Sequence, residues 1–360
     1  MHVADLHNFG QQVKRVARAS GICFQKPRTL FWEWLFFGAT SPLRSVIDDG
    51  SSDGPLSEIF GLEVEFSGPN FTGAVREVEE WPGGIVERDD SFYRFGALLA
   101  YCYAFGIRDL HRSNVVPTPH GLQVIDAEVV FTRLLLPSET LLLPFKDVPF
   151  DRSGLSHLVG DLSDLTVNDV QALLSGYVEC LMHLVDRADA VFDAISRAAQ
   201  CRSDILVRHI ARDTKGYRDW KTRQIGEHVP YIPEELIQLE RGDIPYFFKF
   251  LGKPELWYYT SSDGSRAQVK IPTYFVDAVE RDATSPSLLL DRARLLGDLF
   301  PVGTLFLARK LIPEAWEGRL SLRRGISLSC TSTRFELKSP SSSYGAVRHR
   351  KVVESPALAE

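Results

Sequence analysis

The chain has no apolar run long enough to cross a bilayer: the most hydrophobic stretch, Leu30 to Phe37, is short and interrupted by Glu33. The first ten residues carry Asp5 and His7 and lack the apolar core of a signal segment. Positive charge is not in excess, since 41 Lys and Arg stand against 47 Asp and Glu. That balance argues against a protein built to coat nucleic acid or an anionic membrane. The five cysteines (Cys23, Cys102, Cys180, Cys201 and Cys330) form neither close pairs nor metal-ligand spacings. A scattered, odd set reads as reduced thiols in a cytoplasmic protein rather than a disulfide framework. There is no internal repeat, and no Gly-x-Gly-x-x-Gly loop lies ahead of Lys26.

What is present is ordinary globular composition, 44% hydrophobic and 24% charged over 360 residues. That length suits one large two-lobed unit or two domains. Val13 to Gln25 reads as a hairpin turning at Ser20-Gly21 and running into Lys26-Pro27-Arg28, where Pro27 disfavours helix. Phe31, Trp34 and Leu35 recur at helical spacing, with Gly38 as a stop. Short strands are expected at Leu62 to Phe66 and Val75 to Val78. A helix is expected from Ser91 to Phe105, Ser91 as N-cap and Gly106 as C-cap. Strands at Val115-Val116 and Leu122 to Ile125 flank a turn at Thr118 to Gly121, and a long helix covers Asp164 to Ala199. From Lys338 the chain is rich in Ser, Pro, Arg and Lys and reads as disordered.

One constellation carries chemistry. Ile107-Arg108-Asp109-Leu110-His111-Arg112-Ser113-Asn114 follows a helix and precedes a hairpin, and Asp126-Ala127-Glu128 comes twelve residues after Asn114. This is the spacing of the protein-kinase catalytic loop, with Ile107 at its first His position. Phosphoryl transfer needs a carboxylate at the attacking hydroxyl and hard oxygen ligands for Mg²⁺. Asp109 fits the first role; Asn114 and Asp126, with Glu128 as an extra ligand, fit the second. His111 either positions substrate or ties the loop down. Lys26 is the candidate lysine for the ATP phosphates, and Glu33 or Glu58 could pair with it. Taken singly, Lys26 reads as a surface residue, and Arg208 and Arg212 as surface ion pairs on a helix.

Together, Asp5-Leu6-His7-Asn8-Phe9-Gly10, Lys26-Pro27-Arg28, Asp109-x-His111-x-x-Asn114 and Asp126-x-Glu128 resemble the dehydratase domain of class II lanthipeptide synthetases. Arg208-His209-Ile210-Ala211-Arg212-Asp213-Thr214-Lys215-Gly216-Tyr217 and Gly242-Asp243-Ile244-Pro245-Tyr246-Phe247 extend the match in family order to about residue 250. The resemblance implies an α+β, bilobal, lipid-kinase-like or protein-kinase-like fold. A small β-rich N-lobe would span residues 1–90, a larger helical C-lobe 91–337, and a disordered tail 338–360. It also implies two reactions in one site. ATP with Mg²⁺ would phosphorylate Ser or Thr of a precursor peptide, and phosphate would then be eliminated to leave dehydroalanine or dehydrobutyrine. Asp5, His7 and Lys26 would surround the nucleotide. Asp109, His111, Asn114 and Asp126 would serve phosphoryl transfer, and Arg208 with Thr214 the elimination, where a fixed guanidinium steadies departing phosphate.

The resemblance is incomplete. The first motif begins at residue 5, the segment between Asp126 and Arg208 is short, and no cyclase-type Cys and His set follows residue 260. The expectation is a stand-alone cytoplasmic enzyme, with a separate cyclase or leader-binding protein as further partner and neither nucleic acid nor membrane. Two other readings stay open: a kinase that stops at the phosphorylated peptide or small molecule, and a non-catalytic kinase-like partner of another modifying enzyme.

Overall fold

The computed structural model describes residues 6, 8–18, 21–47, 56–68, 71–81, 88–119, 121–146, 148–200, 205–212, 216–217, 230–272 and 285–347. The chain is a mixed α+β protein with several small antiparallel sheets around a helical centre. Strand β1 (Lys14–Arg18) turns into β2 (Gly21–Lys26), and β4 (Gly73–Arg76) and β3 (Val64–Phe66) complete a sheet of order β1-β2-β4-β3. Pairing Phe24 with Val75 and Lys26 with Gly73 fixes the register; Phe24 and Lys26 share one face of β2, and Cys23, also buried, lies on the other. Helix α1 (Phe31–Phe37) follows at once and buries Phe31, Trp32, Leu35 and Phe36. Gly38 ends it through close approach, because a Cβ there would lie 2.4 Å from the Trp34 carbonyl oxygen. A short helix, α2 (Arg44–Ile47), packs on the helical centre.

That centre is α3 (Arg88–Ala104) crossed by α4 (Val167–Gln200), the latter 34 residues and so about 50 Å long. Helix α3 begins three residues before the expected cap at Ser91, and every residue from Gly96 to Ala104 is buried. Gly106 follows with φ of 61°, and a Cβ there would sit 2.0 Å from Thr132 O, so both conformation and space demand glycine. Helix α4 starts later than Asp164 because Thr166 and Asp169 cap it reciprocally: Thr166 N donates to Asp169 at 2.7 Å and Asp169 N to Thr166 Oγ1 at 3.2 Å.

The two helices touch backbone to backbone through a pair of glycines. A Cβ on Gly96 would lie 1.9 Å from Leu173 O, and one on Gly176 1.9 Å from Tyr93 O. Backbone cannot step aside as a flexible side chain can, so Gly176→Ala is expected to destabilise the protein by about 1–3 kcal/mol. The urea midpoint of the variant checks this; an unchanged midpoint would mean that the helices can separate freely.

A hairpin, β5 (Val115–Thr118) with β6 (Gly121–Val124), lies between α3 and α4 in sequence. After α4 a second sheet of order β10-β9-β8-β7 is built from β7 (Leu206–His209), β8 (Phe247–Phe250), β9 (Leu256–Tyr259) and β10 (Arg266–Gln268). Helix α5 (Pro233–Glu240) precedes β8. Helical turns over 286–311 lead to a last antiparallel sheet: β11 (Gly318–Ser321), β12 (Ser327–Cys330), β13 (Arg334–Lys338) and β14 (Ser343–Val347). The tail expected to be disordered from Lys338 is thus corrected over its first part. Tyr344 and Ala346 pack on the core, Tyr344 edge-on to Phe300 at 6.1 Å. Ser and Lys composition pointed to disorder, but pairing with β13 supplies the backbone partners that a lone polar segment lacks.

Candidate functional site

The loop after α3 is pinned on both sides of Asp109. Ile107 and Leu110 are fully buried, Arg108 N donates to Val129 O at 3.1 Å, and Leu110 N to Thr140 O at 2.9 Å. Between these anchors Asp109 adopts φ of 67°, a left-handed backbone that costs a side-chain-bearing residue about 1–2 kcal/mol. Such strain survives only where the surroundings dictate it, and it turns the carboxylate away from the buried flanks. The Asn114 amide nitrogen donates to Asp109 O at 2.7 Å and Ser113 N to His111 Nδ1 at 3.3 Å. His111 Nε2 stands 3.8 Å from Asp109 Oδ1.

The β5–β6 hairpin brings Asp126 back beside Asn114. Ile125 N donates to Asn114 O at 3.0 Å, and the carbonyl of Ile125 accepts from Lys26 Nζ at 2.8 Å. Lys26 therefore reaches across from the end of β2, 3.4 Å from Glu33 Oε1 and 3.6 Å from Asp126 Oδ1. The pairing with Glu33 from the next helix is present; Glu58 lies against Arg94 instead, at 3.8 Å.

Arg28 is the hub of the arrangement. Its guanidinium meets Glu33 at 2.6 Å, Glu128 at 2.9 Å, and Asp126. Arg208, on strand β7 rather than a helix, pairs with Glu128, and its backbone N–H reaches Glu128 O at 3.3 Å. Three cations (Lys26, Arg28, Arg208) thus interlock with three carboxylates (Glu33, Asp126, Glu128), nearly all out of solvent. Burial would push the Asp126 carboxyl up, but Arg28, Lys26 and Arg208 outweigh that and hold it at about 2, fully ionised. Asp109 goes the other way: burial pushes its carboxyl above the usual range, against the pull of His111 and Arg208. Tyr246, whose ring lies 5.1 Å from the Arg208 guanidinium, has its phenol pushed up to about 12 by burial and stays protonated.

Lys26, Asn114 and Asp126 line a cleft of about 640 Å³, together with the apolar side chains Phe24, Val75, Val116 and Ile125. A separate cleft of about 550 Å³ near the starts of α3 and α4 is lined by Asp89, Tyr93 and Arg323 and by none of the expected site residues. Among the described residues no three His, Cys, Asp or Glu side chains converge to hold a metal. Asp126, although paired with Arg28 and Lys26, and Asn114 bring a carboxylate and an amide oxygen to the cleft, which Glu77, Glu79 and Glu80 also line; such donors suit Mg²⁺ completed by phosphate and water rather than a protein cage. Glu128, the expected extra ligand, pairs with Arg28 and Arg208 and, unlike Asp126, does not line the cleft. Asp5, His7 and Thr214 lie outside the described residues.

Arg212 is not a surface pair either. It holds the fully buried Glu235 through two bonds, at 2.8 and 3.2 Å, and Tyr217 donates to the same carboxylate at 2.9 Å. Sequence reasoning missed the central place of Arg28, although it stands two residues after Lys26, with Pro27 between them just past the end of β2. It also left Tyr246 without a role; the only sign was its position in Gly242 to Phe247. The chain matches no protein-family model and no curated protein.

Proposed function

We propose that this chain is an ATP-dependent phosphotransferase with a bilobal kinase-like architecture, acting on Ser or Thr hydroxyls of a precursor peptide. The sheet β1–β4 serves as the small lobe and the part from α3 onward as the large one. The observation that carries the reading is the convergence of Lys26, Asn114 and Asp126 on one half-apolar cleft, beside an Asp109 held in strained backbone. The apolar side chains suit a purine base, and Lys26 suits its phosphates. Asn114 and Asp126 would hold Mg²⁺, which supplies charge neutralisation on the transferring phosphoryl group. Asp109, poised above the usual carboxylate range, accepts the proton of the attacking hydroxyl. The four described cysteines are free and buried, in keeping with work in the cytoplasm, and no helix among the described residues is long and apolar enough to cross a membrane.

In the fuller reading a general base then takes the α-proton of the phosphorylated residue, the Cα=Cβ double bond forms as the Cβ–O bond breaks, and phosphate departs beside Arg208, which steadies its charge. Pairing of Arg208 with Glu128 favours a second reading, in which the arginine is structural and the reaction stops at the phosphorylated product. Incubation of Ser- and Thr-containing peptides with ATP and Mg²⁺, read by mass spectrometry, separates the two. Loss of one water per site supports elimination; a stable phosphate adduct supports the plain kinase. Arg208→Lys keeps a charge for Glu128 but loses the planar fork, so it is expected to accumulate phosphopeptide. Unchanged dehydration in that variant would remove Arg208 from the scheme. MgATP at a hundred times its dissociation constant is expected to stabilise the protein by about 2.7 kcal/mol. Without any thermal shift at saturating MgATP the nucleotide reading fails.

A further inference from the structure

We propose that Asp243 is a positioning residue, which clamps the chain at Leu6 and Asn8 to Gly10 so that the following residues form a wall of the nucleotide cleft. This inference rests on the nucleotide reading above and gives a task to a residue far from the reacting groups. Three successive residues, Asn8, Phe9 and Gly10, have φ of 47°, 68° and 76°. Two of them carry side chains that disfavour this backbone, so something outside the segment must impose it. Successive N–H groups in such a conformation form a concavity that takes an anion. Here the anion is internal: Phe9 N donates to Asp243 Oδ2 at 2.7 Å and Gly10 N to Oδ1 at 2.9 Å.

The contact is reinforced on every side. Ile244 N donates to Leu6 O at 2.7 Å, Arg241 Nε reaches Asp243 Oδ2 at 2.6 Å, and the Arg241 guanidinium lies 3.7 Å over the Phe9 ring. Asp243 is only 1% exposed, so its charge is committed to these partners. From the clamp the chain runs directly to the site. Gly10, Gln11 and Gln12 border Gln25 and Pro27 around a cavity of about 350 Å³, and Val13 lines the nucleotide cleft itself. On the other side, Asp243 is followed three residues later by Tyr246 under Arg208. One carboxylate therefore sets where the N-terminal strap meets Lys26-Pro27-Arg28. Its conformation is fixed by a residue more than 230 positions away.

Two variants attack the clamp from opposite ends. Asp243→Asn removes the charge that both N–H groups share. Gly10→Pro deletes one donor and forces φ to about −65°, at a position where an added Cβ meets nothing within 4 Å. In either variant the amide of Phe9 is expected to exchange hydrogen about 10- to 100-fold faster, while amides of α3 and α4 stay protected. The KM for MgATP is expected to rise about 10- to 100-fold, with kcat little changed. Faster exchange with an unaltered KM would show a clamp that positions nothing, and unaltered exchange in both variants would show no clamp; either overturns the proposal. Should Asp243→Asn fail to fold, Gly10→Pro decides alone. A wild-type protein that ignores MgATP would instead overturn the nucleotide reading, and with it the positioning role, whatever the exchange rates.

Discussion

Asp109→Asn is expected to slow phosphoryl transfer by about 10²- to 10⁴-fold while leaving the urea midpoint close to that of the parent. The fold should tolerate the change because the loop is held by backbone groups on either side of the residue and by buried Ile107 and Leu110. Asn also accepts left-handed backbone better than most residues, so the φ of 67° is retained. What is lost is the proton acceptor. Burial raises the Asp109 carboxyl pKa, so in the parent the rate should fall, as pH is lowered, at a pH above the ordinary range for aspartate. That acid limb should vanish from the residual activity of the variant. The sign for stability is opposite to the common carboxylate case. A raised folded pKa gives Asp109 a contribution that is present below its ordinary value of 3.8 and lost as pH rises through the folded one. An Asp109→Asn enzyme with full activity would refute its role as base.

Arg28→Met is expected to cost about 3–5 kcal/mol of folding stability, because it strands buried charge. Glu33 is fully buried and would be left with Lys26 alone, at 3.4 Å, while Glu128 would keep only Arg208. Asp126 would lose the guanidinium that contributes most to holding its carboxyl at about 2. In the parent this depressed carboxyl stabilises the fold above about pH 4, and the contribution disappears as pH falls towards 2. The variant should lose that acid-labile component along with its overall stability. Guanidinium titrations at pH 7 and pH 3 measure both. Because buried ion pairs can be exchanged for apolar groups at little cost, Arg28→Met combined with Glu33→Leu should regain part of the loss. A single variant less than about 1 kcal/mol below the parent would mean that water reaches the cluster and screens it.

Much of the first two hundred residues was legible because neighbours in space there are neighbours in sequence. The hairpin of β1 and β2, helix α1, the catalytic-type loop and the β5–β6 hairpin follow from alternation, helical spacing and turn residues within short windows. Helix α3 was placed but begun late, since the cap chosen, Ser91, lies inside the first turn rather than before it. Beyond α4 the signal fades for a physical reason. Strand β7 is four residues whose partner β8 lies forty residues on, so neither period nor turn chemistry announces it, and Arg208 was read onto a helix. The C-terminal sheet was missed likewise, its strands being short, polar on alternate residues and stabilised by pairing. At the candidate site, residue types and spacing singled out Asp109, Asn114 and Asp126 as candidates, whereas Arg28 and Asp243 make their contacts with partners about 100 and more than 230 residues away that no local pattern encodes.

The charge cluster also bears on how the chain reaches its native state. Its members come from the end of β2, from helix α1, from the segment after β6 and from β7, so closing it brings together segments separated by 98 and 80 residues. Loops of that size carry an entropy cost that must be met before their contacts give any return. Each charge, moreover, is unfavourable in a dry core until its counter-charge arrives. Assembly of the cluster is therefore expected after the rate-limiting barrier, once α3 and α4 have packed. On the phosphotransferase proposal a partly folded chain, even one with its helices in place, would hold no competent site, and acquisition of activity should lag behind the recovery of helical signal during refolding.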